Sequence, residues 1–379
     1  MFISAISLEN FRNYKQLHLD LVPGFTLLFG ENGEGKTNLV ESIGYLSALE
    51  SHRVTGYQSL IKNEEETARL SATANHNGRK VTAAAELNKN NPNRYFLNGN
   101  LQRKSSDVLG SVTSVVFAPE DLDIVRRDPS DRRAFLDALL AQLKPRLAGV
   151  KSDYDRVLKQ RNALLKSARQ TNAKDLSTLD IWDDQLVSFG AEIIFARLEL
   201  VNKLKPLLQD FYNRLTNGTE EITLDIRSSI TSGEDEEDFE TLVGATQSEI
   251  QEQFLQRLQE LRTKELERGL TLAGPHRDEL FIAKDSLAAK THASQGEAWS
   301  IALGAKLASA ELIREISQTA DPVIILDDVF SVLDIGRRER LIEFANSFEQ
   351  VLITSTSDTG LPDITWSAKH RVVAGELVK

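Results

Sequence analysis

The sequence predicts an α/β fold in which both ends of the chain build one domain and a mainly helical segment is inserted between them. Three observations support this prediction. A glycine-rich loop follows a short apolar strand near the start, helical periodicity dominates the middle, and a fully apolar strand ending in two aspartates lies near the end. Alternating apolar residues predict strands, whereas apolar spacings of three and four predict helices.

Both ends of the chain predict strands and helices in succession. In the first part, strands are expected at 2–8, 17–21, 26–29, 69–74, 80–87 and 114–117, with a helix at 36–49 and a hairpin turn at Asn98-Gly99. In the last part, strands are expected at 279–283, 322–326, 351–354 and 371–374, with helices at 295–316 and 336–347. We therefore assign residues 1–119 and 268–379 to one domain.

Residues 120–267 predict the helical insertion. Pro129-Ser130 is a favourable start for a helix over 131–143. Further helices are expected over 148–168, 181–215 and 249–267, with a kink at Pro206. A strand pair around 221–226 and the acidic loop 233–240 lie within this segment. No heptad pattern persists over many turns, so we expect no long coiled coil.

The composition excludes several classes of protein. No apolar run is long enough to span a bilayer, and the N-terminus lacks the charged start and apolar block of a signal peptide. The chain has no cysteine, which excludes disulfides and thiolate metal sites, and its six histidines lack ligand spacing. We therefore expect a cytoplasmic protein with no membrane partner.

The charge of the chain is uneven. The net charge of −11 argues against a nucleic-acid partner. Residues 126–174, however, contain thirteen Lys and Arg against five Asp and Glu, a local balance of +8. This basic stretch is either solvated surface or a surface for nucleic-acid phosphates, and its composition alone leaves both interpretations open. The acidic run at 233–240 is interpreted as solvated surface.

A phosphate-binding loop is the strongest motif in the chain. Residues 30–37 match G-x-x-x-x-G-K-[ST] between an apolar strand and an amphipathic helix, which is the context the motif requires. Glycines let successive backbone N–H groups curve around an anion, and the helix directs the positive end of its dipole to the same place. The sequence predicts that a nucleoside triphosphate binds to Gly30, Glu31, Asn32, Gly33, Glu34, Gly35, Lys36, Thr37 and Asn38.

Three side chains are assigned to chemistry at this loop. Lys36 can reach the β- and γ-phosphates, and the Thr37 hydroxyl can ligate Mg²⁺. The apolar strand near the end delivers Asp327 and Asp328 to its carboxyl end, where ligands gather in open α/β sheets. Asp327 is predicted to hold Mg²⁺ and Asp328 to polarise the attacking water. We therefore predict Asp328 and Lys36 as catalytic residues, and Thr37 and Asp327 as metal ligands.

Two further segments indicate the class of ATPase. Ser294-Gln295-Gly296-Glu297 opens a predicted helix before Asp327, and the S-x-L-D segment 331–334 follows it. This order resembles ATPases of the ABC class, in which the signature helix of one subunit covers the γ-phosphate bound by the other. Alone, the first segment is also what an exposed helix cap would show. A helix N-terminus suits a phosphate, so ATP would join two chains.

The chain resembles the RecF family of bacterial recombination mediators, which is related to the heads of structural-maintenance ATPases. The resemblance spans nearly the whole chain, and its G-P-H-R-D and D-D-V-F-S-x-L-D strings are specific to the family. The matching segments are 8–14, 30–38, 51–53, 117–122, 132–137, 274–278, 294–296 and 326–334.

The resemblance implies a weak, DNA-stimulated ATPase that forms an ATP-dependent dimer on DNA. It would act at gaps in damaged DNA and help RecO and RecR load the RecA recombinase on single-stranded DNA beside a duplex. By the same resemblance, Arg12 would contact the nucleotide phosphates. Ser294, Gln295 and Gly296 would act in trans, and Asp334 would lie at the dimer seam.

The basic stretch supplies the predicted DNA surface. We expect Arg126, Arg127, Arg132 and Arg133 to contact duplex, gapped or junction DNA through phosphates, without sequence preference. A dimer would bring two such surfaces around one duplex, and binding should fall steeply with salt.

Alternative interpretations remain for individual residues. Arg12 is otherwise a surface turn residue, and His276 and Arg277 otherwise only order a loop. The 51–53 segment approaches either the nucleotide or DNA. Two departures from the family are Glu34, which stands where glutamine is usual and places negative charge near the phosphates, and Glu297, where a glutamine-rich run would continue.

The number of residues between the phosphate loop and the signature segment helps to distinguish alternative classes of protein. Lys36 and Ser294 are 258 residues apart, whereas the resemblance gives about a hundred for a transporter ATPase. A chromosome-organising ATPase would need hundreds of residues of coiled coil there. A soluble ABC-class ATPase switch without a DNA partner remains the alternative that the net charge favours.

Overall fold

The structure is a computed structural model that describes residues 1–54, 56–171, 177–231, 242–317 and 321–378. The strands are β1 (Phe2–Phe11), β2 (Tyr14–Asp20), β3 (Gly24–Phe29), β4 (Thr67–His76), β5 (Arg79–Asn88), β6 (Arg94–Leu97), β7 (Asn100–Leu101), β8 (Ser114–Phe117), β9 (Ile222–Arg227), β10 (Glu279–Lys284), β11 (Leu287–Ala288), β12 (Val323–Asp327), β13 (Gln350–Ser355), β14 (Trp366–Val373) and β15 (Glu376–Val378). The helices are α1 (Lys36–Ala48), α2 (Asp123–Arg126), α3 (Pro129–Leu143), α4 (Arg146–Thr171), α5 (Ser177–Thr216), α6 (Gln247–Arg268), α7 (Ala289–His292), α8 (Gln295–Ser317) and α9 (Ile335–Ala345).

The N-terminal part of the chain forms an antiparallel sheet. Its strand order is β2-β1-β4-β5-β6-β7. Asn98 and Gly99 both have positive φ between β6 and β7, as a two-residue hairpin turn requires, so the predicted turn is confirmed.

A second, mostly parallel sheet is built from both ends of the chain. Its order is β15-β14-β3-β13-β12-β8, and only β15 pairs antiparallel among these strands. Residues Val323–Asp327 of β12 are all buried, because a parallel sheet is covered on both faces and its central strands read as continuous apolar runs. This sheet confirms the predicted α/β architecture.

The register of this sheet brings three strand ends together. Phe29 of β3 pairs with Ser355 of β13, and Thr354 pairs with Asp327 of β12. The glycine-rich loop that follows β3 therefore starts beside the aspartates that follow β12, although the two lie about 290 residues apart in sequence.

The two faces of the parallel sheet belong to different hydrophobic clusters. Leu28 joins the cluster that contains α1 and the antiparallel sheet, whereas Leu27 joins the cluster that contains the inserted helices. Adjacent residues of a strand point to opposite faces, so β3 anchors both halves of the core.

The inserted segment is an arm of helices, as predicted. α5 packs against α4, α6 and α8, and it continues through Pro206. No helix among the described residues is long and apolar enough to cross a membrane. The predicted acidic loop at 233–240 lies outside the described residues.

One predicted feature of the arm is wrong. The strand expected around 221–226 is present as β9, but its partner is β10 rather than a neighbouring strand of the arm. β10, β9 and β11 form a third sheet among the described residues. A strand from the C-terminal part of the chain therefore completes the base of the arm.

Candidate nucleotide-binding site

The glycine-rich loop has a backbone that only small residues allow. Gly35 caps the N-terminus of α1 with φ +115°, and a Cβ there would lie 2.5 Å from the Asn13 amide. Gly30 packs against the Val372 carbonyl of β14, where a Cβ would clash. The loop therefore fits tightly between the β1–β2 turn and β14, with the backbone of its helix start open to an anion.

Lys36 lies inside the loop. Its Nζ donates hydrogen bonds to the carbonyl oxygens of Gly30 and Glu31, both at 2.7 Å, and the residue is 7% exposed. Burial lowers the pKa of Lys36, whereas Asp328, Asp327 and Glu34 oppose this shift. The ammonium is thus held where a phosphate chain would run over the loop.

Thr37 and Asp327 are brought together as candidate metal ligands. The Thr37 hydroxyl donates to Asp327 Oδ1 at 2.9 Å. Burial raises the pKa of Asp327, and the hydrogen bonds from Thr354 and Thr37 act in the opposite direction. A hydroxyl and a carboxylate oxygen at this spacing fit Mg²⁺, which prefers oxygen ligands and usually takes its remaining ligands from phosphates and water.

Thr354 is a site residue that the sequence did not reveal. Its hydroxyl donates to Asp327 Oδ1 at 2.6 Å and accepts a hydrogen bond from the backbone N–H of Asp328 at 2.9 Å. Asp328 has a left-handed backbone with φ 53°, which aspartate tolerates better than most residues. Thr354 therefore fixes both aspartates at once.

Glu34 contacts a part of the chain outside the phosphate loop. The carboxylate accepts a hydrogen bond from the backbone N–H of Ala374, and the Glu34 carbonyl accepts another from Gly375 at 2.9 Å. Glu34 thus ties the loop to the β14–β15 turn. Its charge still favours the protonated form of Lys36.

Arg12 lies in the turn between β1 and β2. Its guanidinium makes a two-point contact with Glu41 of α1, at 2.7 and 2.8 Å, and its side chain is 16% exposed. Arg53 also reaches this part of α1, at 3.0 Å from Asn38 Oδ1 and 3.4 Å from Glu41. The structure therefore places both arginines beside the first turns of the phosphate-loop helix.

The signature segment lies at the exposed start of α8. Ser294 and Glu297 cap the helix reciprocally, and Lys284 pairs with Glu297 at 2.7 Å. No hydrogen bond joins this segment to the phosphate loop among the residues that the structure describes. The departure at Glu297 thus has a local explanation, because its carboxylate is part of the cap.

Arg337 joins the signature segment to the predicted dimer seam, a link that the sequence did not predict. It donates to the Gly296 carbonyl at 3.3 Å and to the Ser300 hydroxyl at 3.0 Å, and it pairs with Asp334. Asp334 also caps α9 by accepting a hydrogen bond from the Arg337 backbone at 3.0 Å. The two segments therefore form one connected surface.

The four arginines predicted to bind DNA differ in exposure. Arg132 is 3% exposed and pairs with Glu279. Arg126 and Arg133 are half-buried and donate to backbone carbonyls, at 2.9 Å for Lys290 and 2.7 Å for Asp278. The Arg127 side chain is 66% exposed and pairs with Asp123 at 3.0 Å. Arg127 is therefore the most accessible of the four.

The G-P-H-R-D segment orders a buried loop at the base of the arm. His276 Nδ1 lies 2.6 Å from the Tyr154 hydroxyl, and Arg277 donates to the Thr271 carbonyl at 3.0 Å. Asp278 accepts hydrogen bonds from Ser228 and Ser229. These contacts favour the interpretation that His276 and Arg277 order the loop.

The fold and the phosphate loop together define a P-loop domain of the class found in structural-maintenance heads. A family model described as "RecF/RecN/SMC N terminal domain" matches residues 2–369. The head domain of Smc from Pyrococcus furiosus has the same fold, with a TM-score of 0.52 at 17% identity over 100% of this chain and 96% of that one.

Within this class, the chain belongs to the RecF family. It is 46% identical to the DNA replication and repair protein RecF of Clavibacter sepedonicus, over 100% of this chain and 95% of the relative. It is 43% identical to RecF of Streptomyces avermitilis, over 99% of each. A solved structure of "the recombination mediator protein RecF-ATP in RecFOR pathway" matches with a TM-score of 0.89 at 28% identity, covering 100% of this chain and 97% of that chain.

Proposed function

We propose that this chain is an ATP-dependent DNA-binding protein of recombinational repair. The observation that carries the proposal is the assembly of Lys36, Thr37 and Asp327 at one sheet edge from opposite ends of the chain. The RecF relatives match over nearly the full length, and their solved structures include one described as RecF-ATP.

The chain's own residues would bind and orient MgATP. Lys36 and the loop amides would bind the phosphates, and Thr37 and Asp327 would hold Mg²⁺. Mg²⁺, when bound, supplies charge neutralisation at the transferred phosphoryl group. Asp328 would orient and polarise the attacking water. Turnover would be slow, because the proposed role is a switch.

A second copy of the chain would complete the site. The start of α8 is exposed at Ser294, Gln295 and Gly296, and it offers the backbone N–H groups of Gln295 and Gly296 and a helix dipole to a phosphate held by a partner. Asp334 would lie at the seam between the copies. ATP binding would thus close a dimer around DNA, and hydrolysis would reopen it.

The proposed DNA partner is duplex DNA at gaps, where the protein would help RecO and RecR load RecA. Arg127 would contribute most of the four predicted arginines, since its side chain is exposed. The other three arginines would shape this surface and add to its positive electrostatic potential; they are Arg126, Arg132 and Arg133. DNA-stimulated hydrolysis follows if DNA favours the closed dimer.

Duplex binding in ATP, in ADP and without nucleotide, over a salt series, tests this function. ATP alone should give a complex whose affinity falls steeply between about 50 and 200 mM salt, because counterions are released from phosphates. Lys36→Met is the control and should remove the ATP effect. An ATP-dependent dimer that binds no DNA would instead favour an ATPase switch without a DNA partner.

A further inference from the structure

Glu41 is a buried carboxylate one turn after Thr37 on the phosphate-loop helix, and it is 0% exposed. Its Oε1 accepts hydrogen bonds from Arg12 Nη2 at 2.7 Å and from the Ser51 hydroxyl at 2.5 Å. Its Oε2 accepts from Arg12 Nε at 2.8 Å and from Arg53 Nη1 at 3.4 Å. A carboxylate offers about four acceptor positions, so this one is fully used.

The contact with Glu41 leaves part of Arg12 available. A guanidinium has five N–H donors. Glu41 takes one on Nε and one on Nη2, and the Ser59 carbonyl takes one on Nη1 at 3.1 Å. Within the described part of the chain, one N–H therefore remains on each terminal nitrogen, and guanidinium N–H groups of this kind suit a phosphate.

The backbone of Arg12 is also held in an unusual conformation. Its φ is 54°, a left-handed value that is uncommon for a residue with a long side chain. The Arg12 N–H donates to the Leu60 carbonyl at 2.7 Å, which ties the turn to the segment that carries Ser51 and Arg53. Strain of this kind persists where the surroundings hold it, and it concentrates at functional sites.

A chain of hydrogen bonds links this cluster to the phosphate loop. Arg53 donates to Asn38 Oδ1 at 3.0 Å, and Asn38 donates to Asn13 Oδ1 at 2.8 Å. Asn13 in turn donates to the carbonyl of Glu34 at 3.0 Å. The cluster and the loop are therefore parts of one connected structure.

We propose that Glu41 is a positioning residue that holds Arg12 and Arg53 at the rim of the phosphate loop, ready to bind the nucleotide's phosphates. One carboxylate faces two guanidiniums, so the cluster keeps a net positive charge. Preorganised side chains lose less rotamer entropy on binding. This inference rests on the proposed MgATP site.

A thermodynamic cycle on the full-length chain tests the inference, with the dissociation constant of MgATP as the readout. Glu41→Gln should weaken binding about tenfold, because a neutral amide presents donors to donors and releases both arginines. Arg12→Ala should weaken binding as well. In the Arg12→Ala background, Glu41→Gln should add less than about threefold, since neighbouring residues that act together are not additive.

The arm offers a matched control. Glu265 is also 0% exposed and also holds an arginine, Arg161, at 2.7 Å. Glu265→Gln should lower the unfolding temperature and leave the MgATP dissociation constant unchanged. Ser51→Ala supports the test if Glu41→Gln does not fold. It removes one hydrogen bond to Glu41 from the partly exposed side and should weaken MgATP binding two- to threefold.

Failure of this inference and failure of the proposed function would give different results. Folded Glu41→Gln that binds MgATP as tightly as wild type overturns the inference, as does an effect fully additive with Arg12→Ala. For Ser51→Ala, wild-type affinity overturns it. If wild type does not bind MgATP, or binds it equally well after Lys36→Met, the proposed function itself fails.

Discussion

Two buried clusters in this chain use the same chemistry in opposite arrangements. At the phosphate loop, the carboxylate of Glu41 is at the centre, and the arginines around it, Arg12 and Arg53, are 16% and 32% exposed. In the arm, Arg161 is at the centre, and Asp183 and Glu265 surround it, all at most 1% exposed.

The two clusters differ in how completely the N–H groups of their arginines are paired. Each nitrogen of Arg161 donates to a buried side chain: Nε to Asp183 at 2.6 Å, Nη1 to Thr271 at 2.8 Å and Nη2 to Glu265 at 2.7 Å. The central arginine of the arm cluster is fully paired, and the partly exposed Arg262 at its edge pairs with Asp183 and, at 2.7 Å, with Asp180. The cluster at the loop instead has a carboxylate at its centre and two partly exposed arginines around it. The fully paired arginine therefore accounts for the stability of the arm, and we expect the partly exposed arginines at the loop to bind a ligand.

The largest expected effect is on the arm cluster. Arg161→Leu leaves Glu265 without its cation and Asp183 with Arg262 alone, and it should lower the free energy of unfolding by about 3–5 kcal/mol. Denaturant unfolding measures this loss. MgATP affinity of the folded fraction should not change, and a parallel loss of affinity would contradict the separation of the two clusters.

Lys36→Met should weaken MgATP binding and leave stability nearly unchanged, which is the reverse of what we expect for Arg161→Leu. It removes the cation from the phosphate loop and should weaken MgATP binding by roughly 100-fold or more, since charge-assisted contacts to phosphate are among the strong ones. Nucleotide-driven dimerisation should be lost with it. Stability should change little, because burial already disfavours the charged form of Lys36. Calorimetric titration with MgATP measures the first effect, and ATP-dependent dimers of this variant would contradict the site.

The loop at the base of the arm should make stability depend on pH. Burial lowers the pKa of His276 to about 3, below its unfolded value, with Arg277, Arg133 and Lys151 acting in the same direction. The neutral ring can accept from Tyr154 at Nδ1 and donate to the Thr271 carbonyl, 3.4 Å from Nε2. A lowered pKa stabilises the fold above the unfolded pKa, and this stability is lost as pH falls.

The measurement is the free energy of unfolding at pH 7 and pH 5. His276 should account for about 2 kcal/mol of the loss between them, from 1.36 kcal/mol per pH unit below about 6.5. His276→Gln is the comparison and should lose correspondingly less. Equal losses in the two chains would show that His276 titrates normally.

The smallest effect is expected at the exposed basic surface. Arg127→Glu should change the free energy of unfolding by less than about 1 kcal/mol, because its pair with Asp123 is exposed. It should weaken ATP-dependent duplex binding severalfold and reduce the salt dependence. Arg132→Glu is no equivalent test, because it reverses a buried charge paired with Glu279. Unchanged duplex binding by Arg127→Glu would place the DNA surface elsewhere.

The sequence predicted the features that local pattern determines. The glycine spacing of the phosphate loop, the apolar strand before Asp327 and the helical periodicity of the arm each specify backbone conformation within a short window. The fold class and the family followed from these features and from motif order, and both are confirmed.

The features it missed depend on contacts between distant residues. The β9–β10 pairing joins segments more than fifty residues apart, and no local pattern specifies a partner strand. The basic stretch shows charge but not orientation, so it did not distinguish buried Arg132 from exposed Arg127. Thr354 and Glu41 are ordinary residues in their own elements, and only the folded chain shows what they hold.

The most direct test of the account is the molecular mass of the Asp328→Asn chain in MgATP, measured by light scattering. This variant should retain ATP because it lacks the water-polarising carboxylate, and we expect two chains per particle in MgATP and one in MgADP. Ser294→Arg in the same background should give one chain in both. A mass of one chain in MgATP, or an unchanged dimer after Ser294→Arg, would contradict a site completed by a second copy.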